Sequence, residues 1–249
     1  MTVTSPHFLR RLLAGGLAVP ILAGCSTGGV ATPTPTSSPS PTLPPPVPSY
    51  SLGPSPSGCP TAAPAAMATD QSATVALHTN FGDITVKVDG KLGPNAAGDF
   101  VALARCGYYN NVIFHRLVAK FIIQAGDGTN ARLPDSLNPA KMGQGGPGFA
   151  IKDDTVTEKY VRGTIAMART STADSGGSQF FIVLDDSAQT ALGASGANNY
   201  AIFGNVTAGL DVVDKIAAIP TAGEVANGET TPSTPTQPAV ITSVTVTQP

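Results

Sequence analysis

The alternation of apolar and polar residues becomes regular near Ser72 and marks the start of a folded domain. Val75 and Leu77 alternate with small or polar neighbours, a turn sequence Asn-Phe-Gly-Asp follows at 80–83, and the alternation resumes at Ile84. A period of two residues on both sides of a turn predicts a β-hairpin. The domain is therefore expected to begin with two antiparallel strands.

A helical period replaces the alternation after this hairpin. Apolar residues at 97, 100, 101 and 104 have the spacing i, i+3, i+4 and i+7, and Gly107 is placed to end a helix. The same period returns at 210–218. These two stretches predict two α-helices.

Short apolar or alternating runs fill most of the remaining chain. They lie at 112–117, 121–124, 163–168, 178–184, 200–206 and 240–246. With the hairpin they give about eight strands, and most of these follow one another through turns. That order favours an antiparallel β-barrel or sandwich carrying two helices over a parallel α/β sheet. Two Gly-rich stretches, 126–148 and 171–177, interrupt the strands and are long enough to be functional loops.

The composition of the chain distinguishes a linker from the folded domain. Residues 31–60 hold 11 of the 23 Pro together with 11 Ser or Thr, and no residue from Leu12 to Thr69 is charged or His. A segment with so little to bury forms no core, so residues 25–58 are expected to be a disordered linker that holds the domain away from a membrane. Docking of its PxxP-like stretches to a partner domain is the alternative. Residues 59–71 then lead into the folded domain at 72–248.

The first 24 residues have the pattern of an export signal. Arg10 and Arg11 precede a 12-residue apolar run, which is too short to cross about 30 Å of hydrocarbon. The run ends in Leu-Ala-Gly-Cys at 22–25, which resembles the bacterial lipobox. The resemblance implies lipidation of Cys25 and anchoring of the exported protein to the outer face of the bacterial cell membrane or envelope. An ordinary secretory signal with an incidental Cys25 is the alternative, and the export route stays open.

Two cysteines remain once Cys25 is assigned to lipid. Cys59 stands at the end of the linker and Cys106 at the end of the first predicted helix. An even pair in an exported protein is consistent with a disulfide. Two isolated thiols are the alternative.

Charge and motifs argue against several functions. The chain has 14 basic and 16 acidic residues, whereas nucleic-acid binding needs a basic face. It holds no G-x-S-x-G, no H-E-x-x-H and no paired C-x-x-C, so covalent and zinc catalysis have little support. The Gly-rich sextet at 143–148 lacks the Lys-Ser/Thr ending of a phosphate loop. We expect no cofactor and no metal.

Five separate blocks carry the most specific signal in the chain. They are FHRLVAKFIIQAGD at 114–127, GGPGF at 145–149, MAR at 167–169, GSQFFI at 177–182 and YAIFG at 200–204. In order and spacing they resemble the cyclophilin family of peptidyl-prolyl cis-trans isomerases, over roughly residues 72–248. The resemblance implies a mainly β fold, namely a closed eight-stranded antiparallel barrel capped by two α-helices. It also implies that the protein acts as a monomer on proline-containing peptide segments.

The resemblance also assigns site residues, and their chemistry suits an isomerase. Rotation about an X–Pro bond faces a barrier of about 18 to 20 kcal/mol, and a fixed donor near the prolyl nitrogen stabilises the twisted state. Arg116 is the expected donor, and Gln124, also expected to be catalytic, would hold the carbonyl side and the peptide chain together with the backbone near Arg169. The residues expected to bind substrate are His115, Phe121, Ile122, Ala168, Arg169, Gln179, Phe181, Leu192 and Tyr200. Without the surrounding blocks, such aromatics would more simply be core and such an arginine a solvated charge.

The chain departs from the family in three places. It has no Trp, whereas the family often has one on the loop before the Tyr200 block, where it is associated with tight cyclosporin binding. Weak cyclosporin binding with catalysis retained is therefore expected. The stretch 129–144 is longer than usual, and Ala125 stands where a Gly is common.

The leading interpretation is an exported, palmitate-bearing lipoprotein that acts as a rotamase and assists folding outside the cytoplasm. A binding module or chaperone that uses the same groove with incidental isomerase activity is the alternative, and a purely structural envelope protein is a third. Client proteins and the preferred residue before proline do not follow from the sequence.

Overall fold

The computed structural model describes residues 58–193, 200–223 and 231–248. The expected signal peptide, the lipid site at Cys25 and almost all of the linker lie outside this part of the chain. So does most of the segment before Tyr200 that takes the place of the family's Trp loop.

The domain contains three helices and thirteen strands within the described residues. The helices are α1 (Pro94–Arg105), α2 (Ala188–Leu192) and α3 (Leu210–Ala217). The strands are β1 (Ser72–Thr79), β2 (Gly82–Asp89), β3 (Val112–Ile113), β4 (Arg116–Val118), β5 (Ile122–Ala125), β6 (Ala131–Arg132), β7 (Ser136–Leu137), β8 (Thr164–Met167), β9 (Phe180–Val183), β10 (Ile202–Ala208), β11 (Thr221–Ala222), β12 (Thr234–Pro235) and β13 (Val240–Thr247). The predicted hairpin and both predicted helices are confirmed, while α2, β6, β7, β11 and β12 were not predicted.

Eleven strands form one antiparallel sheet in the order β4-β5-β9-β8-β10-β2-β1-β13-β3-β6-β7, and β11 pairs with β12. Leu117 in β4 and Ile241 in β13 stand far apart in this order, yet both belong to one buried core, so the sheet is curled. The mainly β, antiparallel fold with few helices is confirmed. The closed eight-stranded barrel is not, because the strand pairing is that of an open eleven-stranded sheet.

The predicted strand at 112–117 is divided into β3 and β4. The backbone N–H of Phe114 donates to the carbonyl of Ala239, next to β13, whereas the N–H of His115 donates to the carbonyl of Gln124 in β5. The segment therefore changes its pairing partner at these two residues. An unbroken apolar run gives no sign of such a change, since it depends on strands distant in sequence.

Helix α1 is held at both ends by contacts that join distant segments. Pro94 occupies its first turn, where the missing N–H costs nothing, and the Asp154 carboxylate accepts the backbone N–H groups of Asn95 and Ala96 at 3.1 and 2.9 Å. A disulfide joins Cys59 to Cys106, just after the last turn. The lead-in crosses α1 so closely that a Cβ at Gly98 would lie 2.3 Å from the carbonyl oxygen of Ala65, which only glycine permits.

Alternation along β5, β8 and β9 separates two apolar clusters. Ile123, Ile165 and Ile182 face the main core, whereas Ile122 and Phe181 face the opposite side and belong to a second cluster. Successive strand residues point to opposite faces, so one short strand serves both clusters. The second cluster is the surface on which the candidate site is built.

Candidate active site

Four residues stand side by side on the outer face of neighbouring strands. Arg116 in β4 is paired with Gln124 in β5, Gln124 with Phe181 in β9, and Phe181 with Ala166 in β8. Directly opposed residues of antiparallel strands have Cβ atoms about 4.5 to 5.5 Å apart on the same face. The sheet thus places the amide of Gln124 between a cation on one neighbouring strand and an aromatic ring on the other.

A chain of hydrogen bonds joins the polar members of this surface to a loop. Nη1 of Arg116 donates to Oε1 of Gln124 at 3.0 Å, and Nε2 of Gln124 donates to Oε1 of Gln179 at 3.0 Å. Nε2 of Gln179 donates to the carbonyls of Gly143 and Gly145 at 2.9 and 2.8 Å. Each amide accepts with its oxygen and donates with its nitrogen, so the orientation of every member depends on its neighbours.

The predicted apolar residues come together in the second cluster. Phe181, Ile122 and Leu192 are buried within it, and Leu192 reaches it from the end of α2. Phe121, Ala168 and Tyr200 pack against it while staying partly exposed. The ring of Tyr200 meets that of Phe181 edge to face with centroids 5.5 Å apart. An apolar side chain of a ligand would find aromatic and aliphatic partners here.

Tyr160 belongs to this cluster although sequence reasoning gave it no role. It is fully buried, and its hydroxyl donates to the backbone carbonyl of Tyr200 at 2.8 Å. Burial raises the pKa of Tyr160 to about 12, so the hydroxyl stays protonated and can donate. The contact positions the Tyr200 backbone at the edge of the cluster.

A groove of about 440 Å³ adjoins the same surface. Four predicted site residues line it, namely Gln124, Ala168, Arg169 and Gln179. The other lining residues come mainly from the two Gly-rich stretches and include Gly143, Gly145, Pro147 and Phe149. Both stretches that were expected to be functional loops therefore border the groove.

Arg169 is tied to its own loop. Its Nε lies 3.6 Å from Oδ1 of Asp153, and its Nη1 donates to the carbonyls of Thr170 and Thr172 at 3.0 and 2.8 Å. The side chain is 10% exposed. Since Arg169 and Thr170 both line the groove, these contacts hold part of its wall in place.

His115, which the sequence predicts to bind substrate, is almost completely buried in the structure. The residue is 5% exposed, and neither ring nitrogen has a hydrogen-bond partner among the described residues. A Cβ at Gly143 would lie 3.4 Å from its Nε2, so the imidazole packs against the loop at Gly143. Burial lowers the pKa of His115 to about 4, and the ring is therefore neutral at pH 7.

Asp127 is the second residue that sequence reasoning passed over. It stands in the first block, yet its type and position between two glycines indicate only a turn. The structure buries it completely and directs its carboxylate at backbone N–H groups on both sides of the long Gly-rich loop. Only the tertiary contacts give it this role.

The described residues contain neither a cluster of metal-binding side chains nor a membrane-spanning helix. No group of three or more His, Cys, Asp or Glu side chains that could hold a metal ion occurs in residues 58–193, 200–223 and 231–248. Within the same ranges no helix is long and apolar enough to cross a membrane.

The fold and the site place the chain among mainly β proteins whose curled antiparallel sheet carries an apolar cluster and a polar row on its outer face. Arg116 donates to the amide of Gln124, which in turn donates to Gln179, and both amides line the groove beside the apolar cluster. The chain belongs to the cyclophilin-type peptidyl-prolyl cis-trans isomerase family, since the family described as "Cyclophilin type peptidyl-prolyl cis-trans isomerase/CLD" matches residues 74–246.

Relatives agree with this assignment. The chain is 36% identical over 177 residues to peptidyl-prolyl cis-trans isomerase B of Escherichia coli, covering 70% of this chain and 99% of that one. It is 34% identical over 186 residues to peptidyl-prolyl cis-trans isomerase A of Dickeya dadantii, covering 75% and 90%. A crystal structure of a Cryptosporidium parvum cyclophilin type peptidyl-prolyl cis-trans isomerase matches with a TM-score of 0.56 and 27% identity, covering 71% and 98%. A structure of the same protein in the presence of the dipeptide Ala-Pro matches with a TM-score of 0.55 and 28% identity, covering 70% and 98%.

Proposed function

We propose that this isomerase rotates X–Pro bonds without a covalent intermediate and that Arg116 supplies the decisive donor. The observation that carries the proposal is the pairing of Arg116 with Gln124, which holds the guanidinium next to the residue that itself stands opposite Phe181. At the twisted transition state the prolyl nitrogen becomes pyramidal and regains a lone pair. A preorganised cation stabilises that state more than either planar form. A guanidinium keeps its charge and presents a planar fork, so lysine is a poor replacement.

The substrate is a proline-containing segment of a polypeptide, bound by a single copy of this chain. The pyrrolidine ring rests on the surface of Phe121, Phe181 and Tyr200, and the flanking chain lies in the groove past Gln124 and Ala168. Support comes from the related structure obtained in the presence of Ala-Pro. The apolar surface holds the ring while the preceding carbonyl turns.

An isomerisation assay on a proline tetrapeptide tests the mechanism. Arg116→Ala should lower kcat/KM on the order of 100-fold, the loss expected for a transition-state donor. Arg116→Lys should recover only part of it. Arg105→Ala, at an exposed arginine that ends α1, is the control and should leave activity unchanged. Unchanged activity in Arg116→Ala would favour the alternative of a binding module or chaperone, for which peptide affinity and not rate is the relevant readout.

We further propose that the protein is exported, lipid-anchored through Cys25 and assists the folding of exported proteins. The basic, apolar and Leu-Ala-Gly-Cys sequence of residues 1–25 and the uncharged Pro-rich stretch after it support this location. Expression of the full chain with Cys25→Ala in a bacterium, followed by fractionation, tests it. Wild type should stay with membranes and the variant should be released. Equal distribution of the two would refute lipid anchoring.

The closed barrel implied by the family resemblance also remains a proposal. Only Phe114 and His115 separate β3, which pairs with β13, from β4, which pairs with β5. One continuous segment therefore borders both ends of the series β5-β9-β8-β10-β2-β1-β13. This supports closure at residues 112–118. Hydrogen exchange of the backbone amides of residues 112–118 tests this. Exchange as slow as in the core strands is expected for a closed barrel, and fast exchange would contradict closure.

A further inference from the structure

The long Gly-rich loop is fastened at a single buried carboxylate. Asp127 is fully buried, and its Oδ1 accepts the backbone N–H groups of Thr129 and Asn130 at 3.1 and 2.8 Å. Its Oδ2 accepts the backbone N–H groups of Gly143 and Gly145 at 2.8 and 3.1 Å. Hydrogen bonds to an ionised acceptor are stronger than neutral ones, and a buried carboxylate requires such partners. Asp127 thus joins the start of the loop to residues sixteen and eighteen positions further on.

Gly145 lies so close to the Asp127 carboxylate that no side chain could be accommodated at position 145. A Cβ at Gly145 would lie 2.1 Å from Oδ1 of Asp127, so the close approach of loop and carboxylate depends on glycine there. Gly143 and Gly145 therefore have one fixed orientation, with the N–H groups turned to Asp127. Their carbonyls are the two acceptors of Nε2 of Gln179.

This arrangement determines the orientation of the Gln179 amide. With both Nε2 protons given to the loop, Oε1 of Gln179 is directed at Nε2 of Gln124, and Oε1 of Gln124 is directed at Arg116. A rotation of either amide would set donor against donor or acceptor against acceptor. The guanidinium is consequently oriented by a series of contacts that begins at Asp127.

We propose that Asp127 is a positioning residue for catalysis, which holds Gly143 and Gly145 so that Gln179 and Gln124 present Arg116 in its active orientation. The inference rests on the proposed role of Arg116 as donor. It assigns Asp127 no contact with substrate. Its effect on the reaction passes through the amide of Gln179.

The test is a double-mutant cycle in the full chain with the tetrapeptide assay. Asp127→Asn keeps an acceptor for Thr129 and Asn130 but turns an amide nitrogen towards the N–H groups of Gly143 and Gly145. It should lower kcat on the order of 10-fold, since small displacements of a catalytic group are costly, while KM stays within about twofold. In the Gln179→Ala background the same substitution should change kcat less than about twofold, because the connection is already broken.

Asp135→Asn is the matched control, because Asp135 is an exposed aspartate of the same loop and should leave kcat unchanged. Equal effects of Asp127→Asn with and without Gln179 would show a merely structural residue and overturn the proposal. If Asp127→Asn does not fold, Asp127→Ser, which keeps an oxygen for the near turn, takes its place in the cycle. Failure of both variants to fold would assign Asp127 to stability alone and likewise overturn it. An Arg116→Ala variant with full activity would instead refute the donor role itself, independently of Asp127.

Discussion

Arg116 and Gln124 face each other across β4 and β5, and Nη1 of the arginine donates to Oε1 of the glutamine at 3.0 Å. A contact made by a fully exposed arginine contributes little free energy, because ordering the long side chain costs entropy and water competes for the guanidinium. This one is half-buried, and its partner is itself held by Gln179. The positive charge is therefore in place before a substrate arrives, which is the condition for electrostatic stabilisation of a transition state.

Gln124→Glu should lower kcat/KM on the order of 10-fold although it preserves the size of the side chain. A carboxylate would draw the charge of Arg116 towards itself and could no longer donate to Gln179. The tetrapeptide assay measures the effect, with Gln71→Glu at an exposed position before β1 as the control for added charge. Activity equal to wild type in Gln124→Glu would show that the neutral amide is dispensable.

Phe181→Leu should raise KM on the order of fivefold because it removes aromatic bulk from the apolar cluster on which the proline ring is proposed to rest. Phe203 is also fully buried but belongs to the main core, where its ring lies 4.9 Å from that of Phe100. Each of the two substitutions should therefore lower the free energy of unfolding by roughly 1 to 2 kcal/mol, but Phe203→Leu should leave KM unchanged. Steady-state kinetics and urea unfolding of the two variants separate the roles, and parallel changes in KM would contradict the assignment.

Asp99 should make the protein less stable as pH rises from about 4 to 7. The residue is fully buried in α1, neither carboxylate oxygen has a hydrogen-bond partner among the described residues, and burial raises its pKa from 3.8 to about 7. Between these values the folded state keeps a proton that the unfolded state releases, so folding becomes less favourable with increasing pH. The whole effect is on the order of 4 kcal/mol. Relative to wild type, Asp99→Asn should gain stability over this window in urea unfolding; a constant difference would show that Asp99 does not titrate there.

His115 should act in the opposite direction over nearly the same range. Burial lowers its pKa from 6.5 to about 4, so between these two pH values the unfolded state binds a proton that the folded state does not. Stability is thereby lost as pH falls from about 6.5 to 4, by on the order of 3 kcal/mol. His115→Gln should remove this loss, which the same unfolding series detects as a gain over wild type confined to acid pH. A gain of equal size at pH 8 would point to packing and not to protonation.

Removal of the disulfide should destabilise the domain by up to about 4 kcal/mol, the chain-entropy value for the 47-residue separation of Cys59 and Cys106. The Cys59→Ser and Cys106→Ser double variant should show a lower Tm and nearly normal kcat, because the bond joins the lead-in to α1, away from the row formed by Arg116, Gln124 and Phe181. Reductant should lower the Tm of wild type and leave the double variant unaffected. A similar response of both proteins to reductant would exclude the bond as its cause.

Sequence patterns predicted the elements whose periods are long enough to be read locally. The β1–β2 hairpin and helices α1 and α3 each repeat their pattern over eight residues or more. Strands of two residues such as β6, β7 and β11 contain no period, and the five-residue α2 is hardly longer than one turn. Their existence depends on partners distant in the chain.

The residues of the site divide in the same way. The sequence by itself determined the family and the fold class, and it singled out Arg116, Gln124 and Phe181 as candidate site residues, because blocks of residue types in a fixed order are a local property. Only the tertiary structure decided that His115 is buried, that the Asp99 carboxylate has no hydrogen-bond partner within the part of the chain that the structure describes, and that Asp127 holds Gly143 and Gly145. Burial and hydrogen bonding are set by segments that meet through folding, and a side chain's neighbours in sequence do not reveal them.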